Sequence, residues 1–245
     1  MTKFSIITCT YNAEKTLERT VKSVREQSRE GVEVEHIIVD GASKDGTARI
    51  IENCSDGFAK VISERDKGLY DAMNKGIKAA TGDYLIFLNA GDKLHGADTL
   101  SKVAAQLTGA EDIIYGETVL VDDEGSFLRM RRLKAPEHLN WKSFKDGMRV
   151  CHQAFWPRRT IALQTPYDLK YRYSADVDWC IRTMKQSQNL HNTHEVLIDY
   201  LSEGMTTANR WASLKERFRV MSTHYGVPLT IAKHFWFIIR AVVMR

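Results

Sequence analysis

Phe4-Ser5-Ile6-Ile7-Thr8 is a short apolar run near the start of the chain, and a helical apolar pattern over about residues 13–27 follows it. A strand-length run leading into a helix-length amphipathic segment opens a βα unit. The rhythm repeats. His36-Ile37-Ile38-Val39-Asp40 reads as a second strand, with a helix around Thr47–Asn53. Lys60-Val61-Ile62-Ser63 is a third, with a helix over residues 69–80, and Tyr84-Leu85-Ile86-Phe87-Leu88-Asn89 a fourth, with a helix near residues 98–107. Residues 112–115 read as a fifth strand. This alternation predicts an α/β fold, a parallel sheet with helices on both faces.

Beyond Gly116 the pattern changes. Residues 118–121 and 126–132, separated by Asp122-Asp123-Glu124-Gly125, predict a hairpin, and residues 176–186 a helix. Three regions are expected: an α/β half over residues 1–115, a mixed half over 116–205, and a basic helical tail over 206–245. With 245 residues, 43% of them hydrophobic and 27% charged, the chain suits one body with a substantial core, which excludes disorder and a pair of independent enzymes.

The net charge of +4 gives no reason to expect a nucleic-acid partner. Its distribution is uneven: residues 206–245 hold seven cations against Glu216 alone. Residues 229–244 surround Lys233, His234 and Arg240 with Phe235, Trp236, Phe237, Ile238, Ile239, Val242, Val243 and Met244. That stretch falls short of the ~20 apolar residues that span a bilayer. Its composition suits a helix lying in a membrane surface, with a helix docked on the core as the alternative. Cys9, Cys54, Cys151 and Cys180 form no C-x-x-C pair and read as free thiols in a reducing compartment. The N-terminus lacks the apolar stretch and cleavage site of a signal peptide, so a cytosolic location is expected.

Ligands of parallel α/β sheets bind beyond the carboxyl ends of the strands. The residues to inspect are therefore Thr8, Thr10, Tyr11 and Asn12 after the first strand, Asp40 with Gly41, Ser43, Asp45 and Gly46 after the second, and Asn89, Gly91 and Asp92 after the fourth. Asp92, leaving an apolar strand, has the chemistry to meet a hard divalent cation on diphosphate oxygens, or to be a solvated turn residue. Asp40 can equally be a turn former or helix cap. Neither a G-x-G-x-x-G nor a Walker loop follows a strand, and G-x-S-x-G and H-E-x-x-H are absent, which removes dehydrogenase, P-loop, hydrolase-elbow and zincin readings. His191 and His194 have helical ligand spacing but no acidic or Cys support for zinc. Asp176 and Asp178, two apart on a predicted helix, point in different directions, so only one can face a given site. Asp176, at the helix start, is the better placed, or is a cap.

Several ordered motifs in these segments resemble the family-2 inverting glycosyltransferases, and within them the bacterial exopolysaccharide and capsule enzymes, with those of colanic-acid clusters closest. Ser5-Ile6-Ile7-Thr8-Cys9-Thr10-Tyr11-Asn12 is similar to the family's opening strand and loop, and residues 37–47 to its second-strand signature. Residues 63–76, Ser-Glu-Arg-Asp-Lys-Gly-Leu-Tyr-Asp-Ala-Met-Asn-Lys-Gly, followed by Thr81-Gly82-Asp83-Tyr84, are the most diagnostic. The resemblance covers most of the first ~205 residues.

It implies a GT-A fold, a nucleotide-binding α/β half joined to an acceptor-binding half with Mn²⁺ or Mg²⁺ between them. It further implies that Thr10, Tyr11, Asp40 and Asp71 hold the nucleotide, that Asp92 holds metal and diphosphate, and that Asp176 is the catalytic base. His152 and Gln153 would line the sugar or acceptor pocket. The matched motifs also put Thr8, Asn12, Asp66, Lys67, Asn74, Asn89, Ala90 and Gly91 on the donor side and Asp178 beside the acceptor. Two departures stand out: Gly41 replaces a second aspartate that relatives use at the base, and Asn89-Ala90-Gly91-Asp92 leaves one carboxylate for the metal. The partners expected are a nucleoside-diphosphate sugar and a polyprenyl-diphosphate-linked oligosaccharide on the inner face of the plasma membrane. Two rivals are a sugar-nucleotide-binding scaffold without turnover and a nucleotidyltransferase. The second would want a Gly-rich basic loop that residues 8–12 do not offer.

Overall fold

The computed structural model describes residues 1–202 and 209–243. Four parallel strands, β1 (Thr2–Thr10), β2 (Val32–Asp40), β3 (Lys60–Ser63) and β4 (Tyr84–Phe87), form a sheet in the order β3-β2-β1-β4. The chain winds outward from β1 to β3 and then crosses back to place β4 on the other side of β1. The reversal between β1 and β4 opens a crevice at their carboxyl ends, where such sheets bind ligands.

Every residue from Phe4 to Thr10 is buried, as expected of a strand covered on both faces. On one face α1 (Leu17–Arg25) and α2 (Thr47–Asn53) pack Leu17, Val21 and Ile51 against Ile38. On the other, α3 (Leu69–Ala79) brings Met73 and Ile77 into the main core. Gly76 lets α3 approach β1 so closely that a Cβ there would overlap the Ile7 side chain.

The helix expected over residues 13–27 starts only at Leu17. Residues 12–14 are held elsewhere: the Asn12 N–H donates to Ser43 Oγ, that of Ala13 to Thr47 Oγ1 and that of Glu14 to Asp45. Asn12, at φ 50°, turns the chain out of β1 toward the β2–α2 loop. Similarly, β4 ends at Phe87 instead of Asn89, and α4 (Thr99–Ala104) is shorter than its predicted span.

The fifth strand is not part of the parallel sheet. β6 (Ile113–Val121) belongs to a second, mixed sheet with β5 (Lys93–Leu94), β7 (Phe127–Met130), β8 (Phe155–Pro157) and β9 (Leu190–Leu201). It runs parallel to β9 and antiparallel to β7 and β8, the β7 pairing being the expected hairpin. β6 passes straight through position 115, where the first region was expected to end. His191 and His194 lie on β9, not on a helix. His191 Nε2 meets Gln106 and His194 faces Glu137, so the helical ligand spacing does not exist.

Helices α5 (Arg159–Gln164), α6 (Ala175–Lys185), α7 (Arg210–Tyr225) and α8 (Val227–Val243) complete the described chain. One core cluster runs from Phe4 and Phe87 of the first sheet to Phe155, Trp156 and Trp179 of the second half. Cys9, Cys151 and Cys180 are buried free thiols. α8 docks through the buried Thr230 and a Lys233–Asp146 ion pair, yet leaves Phe235, Trp236 and Ile238 more than half exposed. Among the described residues no helix is long and apolar enough to cross a membrane. Of the tail residues singled out from sequence, Met244 and Arg245 and the side chains of Arg210, Arg240, Val242 and Val243 lie outside the described residues, as does the expected boundary at 205/206.

Candidate active site

A cavity of about 930 Å³ opens at the carboxyl ends of β1 and β4 and is closed on its far side by the second half. That volume is at the upper end of small-molecule sites. Thr10, Tyr11, Gly41, Asp66, Asn89, Ala90 and Asp92 line it from the α/β half, and His152, Gln153 and Asp176 from the other. Residues from all three strand exits and from the second half's two motifs thus share one space.

Asp92 is buried and follows Gly91, whose φ of 108° turns the chain after β4. Its Oδ1 accepts the Leu201 N–H at 2.9 Å and its Oδ2 accepts from Gln153 Nε2 at 2.9 Å, so Asp92 ties the end of β4 to β9 and to the segment before β8. Burial pushes its carboxyl up to about 7, against the pull of these two donors and of the Arg19 charge.

Four buried polar atoms of residues along this cavity have no partner: Asn89 Oδ1, Thr10 Oγ1, His152 Nε2 and Arg217 Nε. Buried polar groups are normally paired, and a concentration of orphans around one space marks where a ligand completes them. Asp92 retains unused lone pairs, and with Asn89 Oδ1 it offers two hard oxygen donors. Among the described residues no three His, Cys, Asp or Glu side chains converge. These donors therefore fit a divalent cation that takes its remaining ligands from diphosphate and water.

Asp176 stands in the first turn of α6. Oδ1 accepts from the Tyr70 hydroxyl at 3.3 Å and from the Val177 N–H at 2.9 Å, and Oδ2 lies 3.8 Å from His152 Nδ1. Burial holds the His152 ring below its usual range, with the Asp176 charge opposing. Burial also raises the Tyr70 hydroxyl well above its usual range, and the Asp176 charge adds to it, so Tyr70 stays a donor. Beneath them Tyr70 stacks on Tyr167 at 5.3 Å, Tyr167 stacks on Trp179 at 4.6 Å, and Phe87 packs its edge against both. This aromatic group fixes α6 relative to α3 and β4.

The other residues singled out from sequence lie outside the cavity lining. Asp40 accepts from Ser43 N, Ser43 Oγ and Ser63 Oγ, so its carboxylate shapes the β2–α2 loop. Thr8 Oγ1 meets His36 Nε2, and Asn12 Oδ1 accepts from Lys44 N. Asp71 accepts the Lys67 N–H, and Asn74 clasps the backbone of Tyr167 in both directions. Gly91 contributes backbone curvature. Asp178 points away from Asp176 and is buried between Arg182 and His224, where it ties α6 to α7. At Gly41 an added Cβ would stand 2.6 Å from Asp66 Oδ2, so the side-chain space at Gly41 is filled by the carboxylate of Asp66, with Tyr11 alongside.

Sequence reasoning missed Tyr70 and Arg65, Arg131, Arg172, Tyr173, Tyr200 and Arg217 of the same cavity. Tyr70 was available from the diagnostic block between Lys67 and Asp71. The arginines come from separate elements and share no local pattern.

Residues 5–165 match the family described as glycosyl transferase family 2. A PGL/p-HBAD biosynthesis glycosyltransferase of Mycobacterium tuberculosis is 34% identical over 259 aligned positions, covering 99% of this chain and 94% of its own. The amylovoran biosynthesis glycosyltransferase AmsB of Erwinia amylovora is 33% identical over 200 positions, covering 74% of this chain and 64% of its own. S. aureus TarS 1-349, solved in complex with UDP-GlcNAc, superposes with a TM-score of 0.73 at 19% identity over 90% of this chain, which spans 65% of that structure. At that identity the likeness speaks for the fold, a GT-A-like arrangement of the two sheets. With the matched segment covering well over half its length, the chain belongs to glycosyl transferase family 2.

Proposed function

We propose that this protein transfers a sugar from a nucleoside-diphosphate sugar to a hydroxyl of a lipid-linked oligosaccharide, with inversion, in the assembly of an extracellular polysaccharide of the capsule or colanic-acid type. The observation that carries this reading is that Asp92, Asn89 and Asp176, from opposite halves, open into one cavity large enough for such a donor. The biosynthetic names of the two curated relatives support the substrate class.

In this reading the base lies along Tyr11, which is 60% exposed at the cavity rim, with the Asp66 carboxylate at its edge in the space beside Gly41. The diphosphate extends toward Asn89 and Asp92. These two would hold Mn²⁺ or Mg²⁺, whose charge offsets that of the departing diphosphate. Asp176 accepts the proton of the acceptor hydroxyl as its oxygen attacks the anomeric carbon from the face opposite the diphosphate, which inverts that centre. The Tyr70 hydroxyl and the adjacent N–H hold Oδ1, leaving Oδ2 for the incoming alcohol. His152, neutral through burial, lines the pocket with an unpaired ring nitrogen for a sugar hydroxyl.

In the same reading the enzyme is peripheral on the inner face of the plasma membrane, which the exposed Phe235, Trp236 and Ile238 of α8 support. Replacing these three by serine should release it from phosphatidylglycerol vesicles; retained binding would remove the membrane from the proposal.

Product analysis tests the reaction. The protein is incubated with UDP-, GDP- and dTDP-sugars and Mn²⁺. Release of free nucleoside diphosphate is glycosyl transfer or its hydrolytic side reaction, release of sugar 1-phosphate would mean nucleotidyl transfer, and neither would mean a binder. The same nucleoside diphosphates should raise the melting temperature more with Mn²⁺ than without, and Asp92→Ala should abolish that difference.

A further inference from the structure

The cavity carries a cluster of cations that the donor reading leaves unused. Arg131 follows β7, Arg172 precedes α6 and Arg217 lies on α7, so none comes from the α/β half, and all three line the cavity. Among the described residues none of them is within ion-pair distance of a carboxylate. Arg217 Nε is buried and has no hydrogen-bond partner. Arginines around one cavity with no carboxylate paired to them, one with a buried unpaired donor, suit an anion with several oxygens.

Glu216 shows that two of them are held together by design of the fold. Its carboxylate, next in sequence to Arg217, accepts the backbone N–H groups of Arg172, Tyr173 and Ser174 at 2.8, 2.6 and 2.7 Å. This anchors the base of Arg172 beside α7, with its guanidinium against the Tyr173 ring. Arg131 carries its charge toward Cys151, His152 and Tyr200.

We propose that Arg131, Arg172 and Arg217 form an anion subsite for the diphosphate of a prenyl-diphosphate-linked acceptor, distinct from the place of the donor's own diphosphate. This rests on the glycosyl-transfer reading. The donor phosphates belong at the exits of β1 and β4, where Asn89 and Asp92 stand, whereas the three arginines come from outside the α/β half, as Asp176 does. The helix that bears Arg217 continues through Gly226 into α8, whose outer face is apolar. One ligand satisfies both features: a diphosphate anion joined to a lipid chain.

The test is equilibrium binding of farnesyl diphosphate, farnesol and inorganic pyrophosphate to the full-length protein, alone and saturated with UDP or GDP. Farnesyl diphosphate should bind with the nucleotide present, about tenfold or more tighter than pyrophosphate or farnesol. Arg172→Gln and Arg217→Gln should each weaken it by about tenfold while leaving nucleotide affinity unchanged. Unaltered nucleotide affinity also shows that the variants are folded. Displacement of farnesyl diphosphate by the nucleotide would assign the arginines to the donor and overturn the proposal. Pyrophosphate binding as tight as farnesyl diphosphate would overturn the lipid assignment. Binding unaffected by either substitution would remove the subsite. Failure of every nucleoside diphosphate to bind would instead defeat the glycosyl-transfer reading beneath it.

Discussion

The Tyr70 hydroxyl donates to Asp176 Oδ1 across 3.3 Å, joining the first turn of α3 to the first turn of α6. It is a contact between the two halves of the molecule at the point where an acceptor hydroxyl would lose its proton. The bond engages one carboxylate oxygen and fixes the direction of the other.

Replacing Asp176 by Asn keeps the volume and a hydrogen bond to Tyr70 but removes the proton acceptor. A positioned base contributes ~10²–10⁴ in rate, so kcat should fall by that factor. Nucleoside-diphosphate affinity, measured by titration, should not change, because Asp176 touches none of the strand-exit residues. Turnover within a factor of two of wild type would remove Asp176 from the chemistry.

Tyr70→Phe separates positioning from packing. The ring keeps its stack on Tyr167, so the cost in stability is that of one hydrogen bond, about 0.5–1.5 kcal/mol. Losing the donor frees Asp176 to rotate, and kcat should drop by roughly tenfold, the equivalent of about 1.4 kcal/mol in the barrier. The drop should appear in kcat and not in the donor KM. A change in the donor KM alone would place Tyr70 in binding.

What the sequence made legible followed from its local periodicities. The buried runs of β1, β2 and β4 and the amphipathic face of α3 are patterns within a dozen residues, and they place Thr10, Asn89 and Asp92 at one sheet edge. Asp176 and Asp178 were separable because a helix sends positions two apart to different faces, and Asp178 is turned to Arg182 and His224, away from the acceptor side where the resemblance put it. The assignment of residues 112–115 to the first sheet failed because a buried strand of either sheet has the same apolar composition. Asp40 was open between ligand and turn former for want of its partners: Ser63, which accepts that choice by donating to its carboxylate, lies on the neighbouring strand. Glu216 reaches the loop before α6, and the three arginines come to one cavity, only after α6, α7 and β7 assemble, so no window of sequence contains them.

Glu216→Ala probes that assembly. The carboxylate satisfies three successive N–H groups at the entry to α6 and sits at the positive end of the helix dipole. Bonds to a charged acceptor are worth about 1.5–3 kcal/mol each and are not additive, so a loss of about 2–4 kcal/mol is expected in denaturant titration. Glu216→Gln, which keeps an accepting oxygen, should recover part of it. Equal stability of all three proteins would mean that the loop before α6 is held by its aromatic neighbours alone.

The main acid-sensitive histidine lies outside the cavity. His36 is buried on β2, with Nε2 3.0 Å from Thr8 Oγ1 and its ring centroid 5.2 Å from that of Phe58, the two rings nearly perpendicular. Burial, with the charges of Arg25 and Arg29 adding to it, pulls the imidazole from its ordinary 6.5 down to about 3. Between these values the unfolded chain binds a proton that the folded chain refuses. Stability is therefore complete above pH 6.5 and is lost as pH falls toward about 3, by a few kcal/mol at most. His152, also held below its usual range, acts in the same direction. His36→Gln removes the larger contribution: it should destabilise the protein at neutral pH through the altered fit against Phe58, and change the slope of the urea midpoint against pH between about 6.5 and 4.5 relative to wild type by the His36 share, while Asp92, raised to about 7, takes up its proton over the same interval in both proteins and acts in the opposite direction. If the variant loses stability over that interval as steeply as the wild type, the buried imidazole beneath Thr8 is not what makes the fold acid-sensitive.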